Sequence, residues 1–586
     1  MTMKNTWDLS FLYKGFEDEA FAADLARWPE MIDEQKALLD ADLPVLTKLE
    51  KLVDSMEALS VLSGRVGSFV GMTLATEAGH PVAQQYSDKL SLIRNRSRLV
   101  GSGITRFVGS IGNLEELIAQ SEKLQAVAFA LRDMQESAKH TIPADIEPWL
   151  LEMSLSGGSA FSQLRGKLES NQTVEFRGQS LPLAAVRGMA YDGDPAVRRD
   201  AYEAEIASYR KIELPMSYCL NAVKMEARTM AKAKGYPTVL DMTLASSRMD
   251  RETLEAMIGA IREYLPHFRR YLKAKARYLG HENGLPFYDL FAPVGKASKA
   301  YTIEDAREVL LREMGKFTPE MAKFIDNAFE QRWIDVYPRE GKRGGAFCSG
   351  MHAYDRSLVL TNYQGSFSDI STLAHELGHA WHNRCLAGLP TLMIHTPMPL
   401  AETASIFNET MLSHQVLANA TEAEQFTLLE ASLMESTQTC VDILSRYLFE
   451  TEVIDTRADH AMTVDELKDC MLRAQDATYG DGLDKDVRHP YMWACKSHYY
   501  SSGLNFYNFP YAFGELFGKG VFAQYLKEGD AFVPKYCQLL RSCGSGTIAD
   551  VAASVGIDVR SADFWRASLE VIKGEIDRFC DLCSKA

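Results

Sequence analysis

Proline is scarce in this chain, with 20 among 586 residues. No internal repeat and no Pro/Gly-rich linker divides it, which excludes a repeat array and leaves room for long unbroken helices. Paired cysteine motifs are missing too. The ten cysteines fall at irregular spacings, and Cys580-x-x-Cys583 has no second pair to complete a structural zinc site, so free or buried thiols in a reducing compartment are expected. Positive charge is in deficit: the net charge of −16 speaks against nucleic acid, whose phosphates require concentrated Lys and Arg. No stretch approaches the 18 apolar residues of a membrane span. Residues 1–15 lack the charged, apolar and small-residue regions of a signal peptide. A soluble, cytoplasmic protein without a membrane partner is the expectation. Gly341 to Gly350 precede no P-loop Lys-Ser/Thr pair, and there is no Gly-x-Ser-x-Gly elbow, so neither phosphate cradling nor a hydrolase serine is indicated.

What is present is mostly helical pattern. Hydrophobic residues make up 46% of the chain, ample for a large core, and Ala, Leu, Glu, Lys and Met are abundant. Helices are expected over Glu17–Leu39, Val45–Leu62 and 82–100. β-like runs occur only near 172–183, where Thr173 to Leu181 alternates like a hairpin, and near 344–363. Asp194-Pro195 has the features of a helix start, Asp as cap and Pro in the first position. The fold class expected is mainly α with a small β-sheet. A division near residue 190 is expected, with an N-terminal helical domain over 1–190 and a second domain over 191–586.

One stretch organises the rest: Ser371-Thr372-Leu373-Ala374-His375-Glu376-Leu377-Gly378-His379-Ala380-Trp381-His382. Residues four apart stack on one helix face, so His375 and His379 can reach a single Zn²⁺, with Glu376 placed to act as base for an activated water. The strand-like Leu358-Val359-Leu360 precedes it, followed by Asn362, Gly365, Ser366 and Asp369 as turn and cap residues. A catalytic zinc keeps three protein ligands and an open position. Downstream, Glu402 and Glu409 lie seven residues apart on one helical face, amid Leu400, Ala404, Ile406 and Phe407. One can ligate the metal while the other accepts a hydrogen bond from a ligand histidine. His382 is three residues past His379, but like His352, His395, His414 and His489 it is taken as structural.

The chain resembles the thimet-oligopeptidase-type zinc metallopeptidases, most closely the oligoendopeptidase F branch. The resemblance rests on His-Glu-Leu-Gly-His at 375–379, Ala-Glu-x-Ala-Ser-x-x-Asn-Glu at 401–409, the Tyr-rich stretch after His498 and the opening Trp7-Asp8-Leu9-Ser10. It implies Glu402 as third zinc ligand, Glu409 as partner of a ligand histidine, and a helical shell around a deep cleft that admits short peptides. It also implies that His498 and tyrosines of 498–514 stabilise the oxyanion of a tetrahedral intermediate. Tyr507 is the expected principal donor, with Tyr500 and Tyr511 as further candidates. Phe509 stands at one place where more distant relatives have Tyr. The Gly-rich run into the strand suggests an edge at Gly345, Ala346 and Phe347 that pairs with an extended peptide. Cys348 is expected to be a strand side chain rather than a nucleophile. The resulting expectation is a zinc endopeptidase acting on short peptides. Its rivals are a zinc exopeptidase of carboxypeptidase type and a peptide-binding protein with a structural zinc.

Overall fold

The computed structural model describes residues 5–143, 145–295 and 300–585. The N-terminal layer is built from α1 (Glu19–Asp40), α2 (Val45–Thr76) and α3 (Pro81–Gly109). The two later helices run well past the expected ends at 62 and 100, because no proline or cap residue stops the apolar pattern there. By length and composition alone α2 would also span a membrane, an exception to the sequence expectation. In this fold it packs against both α1 and α3, burying Leu49, Leu52, Val53, Val66, Phe69 and Val70.

The hairpin β1 (Thr173–Phe176) and β2 (Gln179–Pro182) lies where alternation placed it. Its turn uses Arg177 and Gly178, both at positive φ. Asp194 caps the helix Pro195–Tyr209 by accepting a hydrogen bond from the Ala196 N–H. Beyond it, α4 (Glu213–Ala233) and α5 (Arg251–Tyr278) carry the main core forward.

The second sheet has three strands in the order β3-β5-β4, where β3 is Ile334–Asp335, β4 Phe347–Met351 and β5 Arg356–Leu360. Strand β3 has only two residues, too short to leave a period-2 signature, and it pairs parallel to β5. Strand β4 pairs antiparallel to β5 and forms the sheet edge. The N-terminal layer clamps this sheet from outside. Met351, Leu358 and Leu360 share a core with Trp7, Phe21 and Phe69, and the Ala78 N–H and Arg343 N–H bond to Gly341 and Ala75 carbonyls at 2.7 and 2.8 Å.

The metal-motif helix α6 (Phe367–Cys385) leaves β5 through a capping box. Ser366 Oγ accepts from the Asp369 N–H while the Asp369 carboxylate accepts from the Ser366 N–H, which fixes where the helix begins. It is followed by α7 (Thr403–Leu417), α8 (Glu422–Thr437), α9 (Ile443–Thr456), α10 (Phe509–Glu528) and the C-terminal α11 (Ala562–Lys585). A π-helical turn, Gln438–Asp442, joins α8 to α9. The main core draws on residues from Val174 to Leu582.

Candidate active site

Two close helix crossings set the site. On α6, a Cβ at Gly378 would lie 2.5 Å from the Ala404 carbonyl oxygen and 2.7 Å from Ser405 Cα. On α10, a Cβ at Gly514 would lie 2.8 Å from Glu402 Cβ. Only glycine lets the α6 backbone come so near the start of α7 and lets α10 come so near the Glu402 side chain, so the start of α7 sits between α6 and α10. Asn408 on α7 reinforces the first crossing by donating to the Ala374 carbonyl at 3.3 Å.

Glu402 sits at the junction of the short helix Met398–Ala401 and α7, so it heads the helix instead of lying within one with Glu409. Its Oε2 is 3.3 Å from His375 Nε2 and 3.3 Å from His379 Nε2. One ligand atom from each of the three residues falls within 4.8 Å of the others. Two imidazole nitrogens and a carboxylate oxygen converging in this way fit the three-residue donor set of a catalytic metal such as zinc. Among the described residues no other group of His, Cys, Asp or Glu converges like this.

The flanking contacts orient the donors. Glu409 Oε2 lies 3.2 Å from His375 Nδ1, and Ser371 Oγ donates to Glu409 Oε1 at 3.1 Å. The Glu409 carboxylate accepts from His375 Nδ1–H, which turns Nε2 toward Glu402 and His379. Ser405 Oγ donates to Glu402 Oε2 at 2.8 Å. Burial works against a charged His375, but the Glu402 and Glu409 carboxylates outweigh it and raise its pKa well above the usual imidazole value. Glu402 is shifted the other way: burial opposes its ionisation and the two histidines overcome it, holding the carboxyl far below its usual range. Glu376 is only 6% exposed, and burial raises its pKa although His375 and His379 pull the other way.

The segment after the short helix Met492–Cys495 carries His498 and Tyr507 and runs into α10 with Tyr511. His498 and Tyr507 rings lie 5.0 Å apart, and the Tyr511 hydroxyl donates to the Tyr507 oxygen at 3.0 Å. Burial, this bond and the nearby Glu402 carboxylate all raise the Tyr511 pKa, and Tyr511 stands one turn before Gly514, where α10 meets Glu402. His498 Nδ1 is buried with no protein partner. Tyr500 differs from the other two tyrosines. Its ring is 1% exposed and lies 5.3 Å from the Arg165 guanidinium, a core position that offers no surface to a substrate.

Gly345, Ala346 and Phe347 lead into the sheet edge. Asn362 Nδ2 donates to the Gly345 carbonyl at 2.7 Å, and the Phe347 ring leans on Trp7 at 6.3 Å. Cys348 lies on this strand, its Sγ accepting from Asn383 Nδ2. Burial and the Glu376 charge push its thiol up, which makes it a neutral side chain and no nucleophile. His382 is a structural residue too: its Nε2–H donates to the Leu540 carbonyl at 3.1 Å, and burial, with His379 adding, pulls its pKa down to about 4. All ten cysteines are free.

Sequence reasoning did not single out Ser371, Ser405, Gly378 or Gly514 as parts of the site. Ser371 precedes His375 by one helical turn and was accessible from spacing. The glycine contacts depend on which helices cross, which spacing does not reveal.

Comparison with known proteins places this arrangement. The chain is 24% identical over 611 residues to the Oligopeptidase PepF of Bacillus subtilis (strain 168), covering 99% of this chain and 88% of that protein. It is 24% identical over 608 residues to an oligoendopeptidase F homolog of Lactococcus lactis subsp. lactis (strain IL1403), covering 100% and 98%. A solved structure from Chlamydophila abortus, 22% identical, superimposes with a TM-score of 0.86 over 99% of this chain and 98% of that one. Oligoendopeptidase-F from Enterococcus faecium, 16% identical, gives a TM-score of 0.71 over 97% and 99%. The sequence model of Peptidase family M3 matches residues 188–571, a span that contains α6, α7 and α10 with every donor described above. By that match, over well more than half its length, the chain belongs to peptidase family M3.

Proposed function

We propose that this protein is a zinc-dependent oligoendopeptidase that hydrolyses internal bonds of short peptides. The observation that carries this reading is the convergence of His375, His379 and Glu402, with the buried carboxyl of Glu376 one residue from the first ligand. These three residues would hold the metal. When bound, zinc supplies Lewis acidity, polarising the scissile carbonyl and lowering the pKa of water.

The remaining chemistry falls to side chains. Glu376, buried in a weakly polar setting, takes a proton from the attacking water at a carboxylate oxygen and delivers it to the departing amine nitrogen. Its raised pKa narrows the gap between those two proton transfers. Glu409 keeps His375 turned with Nδ1 protonated. Tyr507, braced by the Tyr511 hydroxyl and the His498 ring, presents its O–H to the oxygen that becomes negative when the carbonyl is attacked. Strand β4 is an edge of its three-stranded sheet and its Cys348 feels the charge of Glu376, which supports an extended peptide pairing there and reaching the base. The names of the relatives, oligopeptidase and oligoendopeptidase, support short peptides as substrates and cleavage away from the ends.

An internally quenched peptide of about ten residues, blocked at both termini, tests this reading. The zinc-loaded protein should cut it at an internal bond located by mass spectrometry, and chelation followed by zinc should abolish and restore cleavage. Cleavage only of peptides with a free terminus would assign an exopeptidase instead.

A further inference from the structure

The residue before Tyr507 has a strained backbone. Phe506 sits at φ 51°, in the left-handed region that a bulky side chain adopts only when its surroundings impose it. Residues 501–508 belong to no helix or strand, so regular backbone pairing does not impose it. Side chains from distant helices do. Phe506 is itself buried, its ring 5.6 Å from that of Tyr447 on α9. Asn505 is buried as well, with both ends of its amide engaged. Its Nδ2 donates to the Ser502 carbonyl at 3.0 Å, and its Oδ1 accepts from Lys224 Nζ at 2.9 Å. The Asn505 carbonyl accepts from Thr243 Oγ1 at 3.2 Å.

Lys224 lies on α4 and is 0% exposed. Its Nζ also donates to Oε1 of the buried Glu450 on α9, at 2.6 Å. A buried ion pair is a poor source of stability, because two apolar side chains of similar volume would join α4 to α9 as well or better. What apolar side chains do not supply is a further N–H for the Asn505 oxygen. The other flank of Tyr507 is held in the same way. Oδ1 of the buried Asn508 accepts from Arg446 Nη1 at 3.3 Å, and Arg446, one turn before Glu450 on α9, is paired with Asp442. Two buried asparagines, each bonded to a buried or nearly buried cation, thus bracket Tyr507.

We propose that Lys224 is a positioning residue for Tyr507: through Asn505 it holds the strained turn at Phe506 that sets where the Tyr507 hydroxyl points. It touches neither substrate nor metal. Without its bond to Asn505, Phe506 relaxes to an ordinary φ, and the Tyr507 ring leaves its place between His498 and Tyr511. The effect on turnover rests on Tyr507 being the oxyanion donor.

The test compares wild type, Asn505→Ala, Tyr507→Phe and the double variant Asn505→Ala/Tyr507→Phe. Asn505→Ala removes the acceptor while Lys224 keeps Glu450, so no buried charge is left alone. On the doubly blocked peptide its kcat should fall about tenfold, with KM within about threefold and zinc content unchanged. In the Tyr507→Phe background the same substitution should cost less than about twofold further. The ring itself is read by ¹⁹F NMR of the zinc-loaded protein carrying 3-fluorotyrosine at position 507, whose line should shift or broaden in Asn505→Ala. The variant Lys224→Met/Glu450→Met, which removes one charge of each sign, should reproduce both effects, and it stands in if Asn505→Ala does not fold. An unmoved line, or a full further loss of kcat in the double variant, overturns the proposal. The oxyanion role fails separately. If Tyr507→Phe keeps wild-type kcat while the line moves in Asn505→Ala, Tyr507 is not the donor and Lys224 still sets its ring. If Tyr507→Phe loses kcat and the line stays, only the role of Lys224 falls.

Discussion

Gly378→Ala is the smallest change that tests how the site is assembled. It leaves both ligand histidines and Glu376 in place and adds one methyl group. That methyl would start 2.5 Å from the Ala404 carbonyl oxygen, 2.7 Å from Ser405 Cα and 2.8 Å from the Ala404 carbonyl carbon. All three are backbone atoms, so no side-chain rotation relieves the contact. The helices must part by about half an ångström merely to bring the worst contact to 3.0 Å, which is still tighter than a packed interior tolerates. Overpacking of this kind costs about 1–3 kcal/mol, against which alanine regains up to ~1 kcal/mol of helix propensity. The net effect on stability is therefore modest, about 0–2 kcal/mol. The effect on the site is larger, because Glu402 is carried by the displaced segment and catalytic constellations tolerate only ~0.5 Å. Zinc affinity and kcat should each fall at least about tenfold while the melting temperature drops by only a few degrees. Affinity and circular dichroism melting measured together check this. A variant with wild-type zinc binding and turnover would refute the claim that the α6–α7 crossing sets the ligand geometry.

Three further outcomes are expected. Tyr507→Phe should lower kcat about 10²-fold with KM nearly constant, as removal of an oxyanion donor does, whereas Tyr500→Phe should leave both within about threefold because its ring is in the core; steady-state kinetics on one peptide compares them. His382 is held neutral, with its pKa drawn from 6.5 down to about 4 chiefly by burial. The unfolded chain therefore binds a proton that the fold rejects, and stability is full above pH 6.5 and lost as pH falls toward 4. Between pH 7 and 5 that loss is on the order of 2 kcal/mol. It should be largely absent from a His382→Gln variant in metal-free denaturant titrations, and an unchanged pH slope would dismiss this role.

Much of the site was legible because its signals are local. The i, i+4 histidines, the Ser366 and Asp369 cap and the Glu402/Glu409 spacing all act within one or two helical turns, where sequence order dictates neighbours. The hairpin at 173–182 and the Asp194-Pro195 helix start were equally local. What spacing did not give is what distant segments create together. The 130-odd residues between Gly378 and Gly514 hide the fact that both exist to admit α7, and a two-residue strand such as β3 carries no periodicity. Tyr500 shows the same limit within one aromatic cluster. It stands only seven residues from Tyr507, but Arg165, far away in sequence, comes to rest near its ring in the core, while Tyr507 pairs with Tyr511 near the start of α10. The buried charges of Lys519 and Glu515 read in sequence as ordinary helix surface residues, and only the packing of α10 against α11 and α7 shows otherwise.

The central claim is that Glu376 is the base of a metal-dependent peptide hydrolysis at the His375–His379–Glu402 centre. Its most direct test is Glu376→Gln, compared with wild type for zinc content and for turnover of the doubly blocked peptide at equal zinc loading. The account predicts one zinc per chain in both proteins and a loss of kcat of about 10³-fold or more, a barrier increase of ~4 kcal/mol. Full zinc with turnover reduced less than about tenfold, ~1.4 kcal/mol, would contradict it and send the search for the base elsewhere.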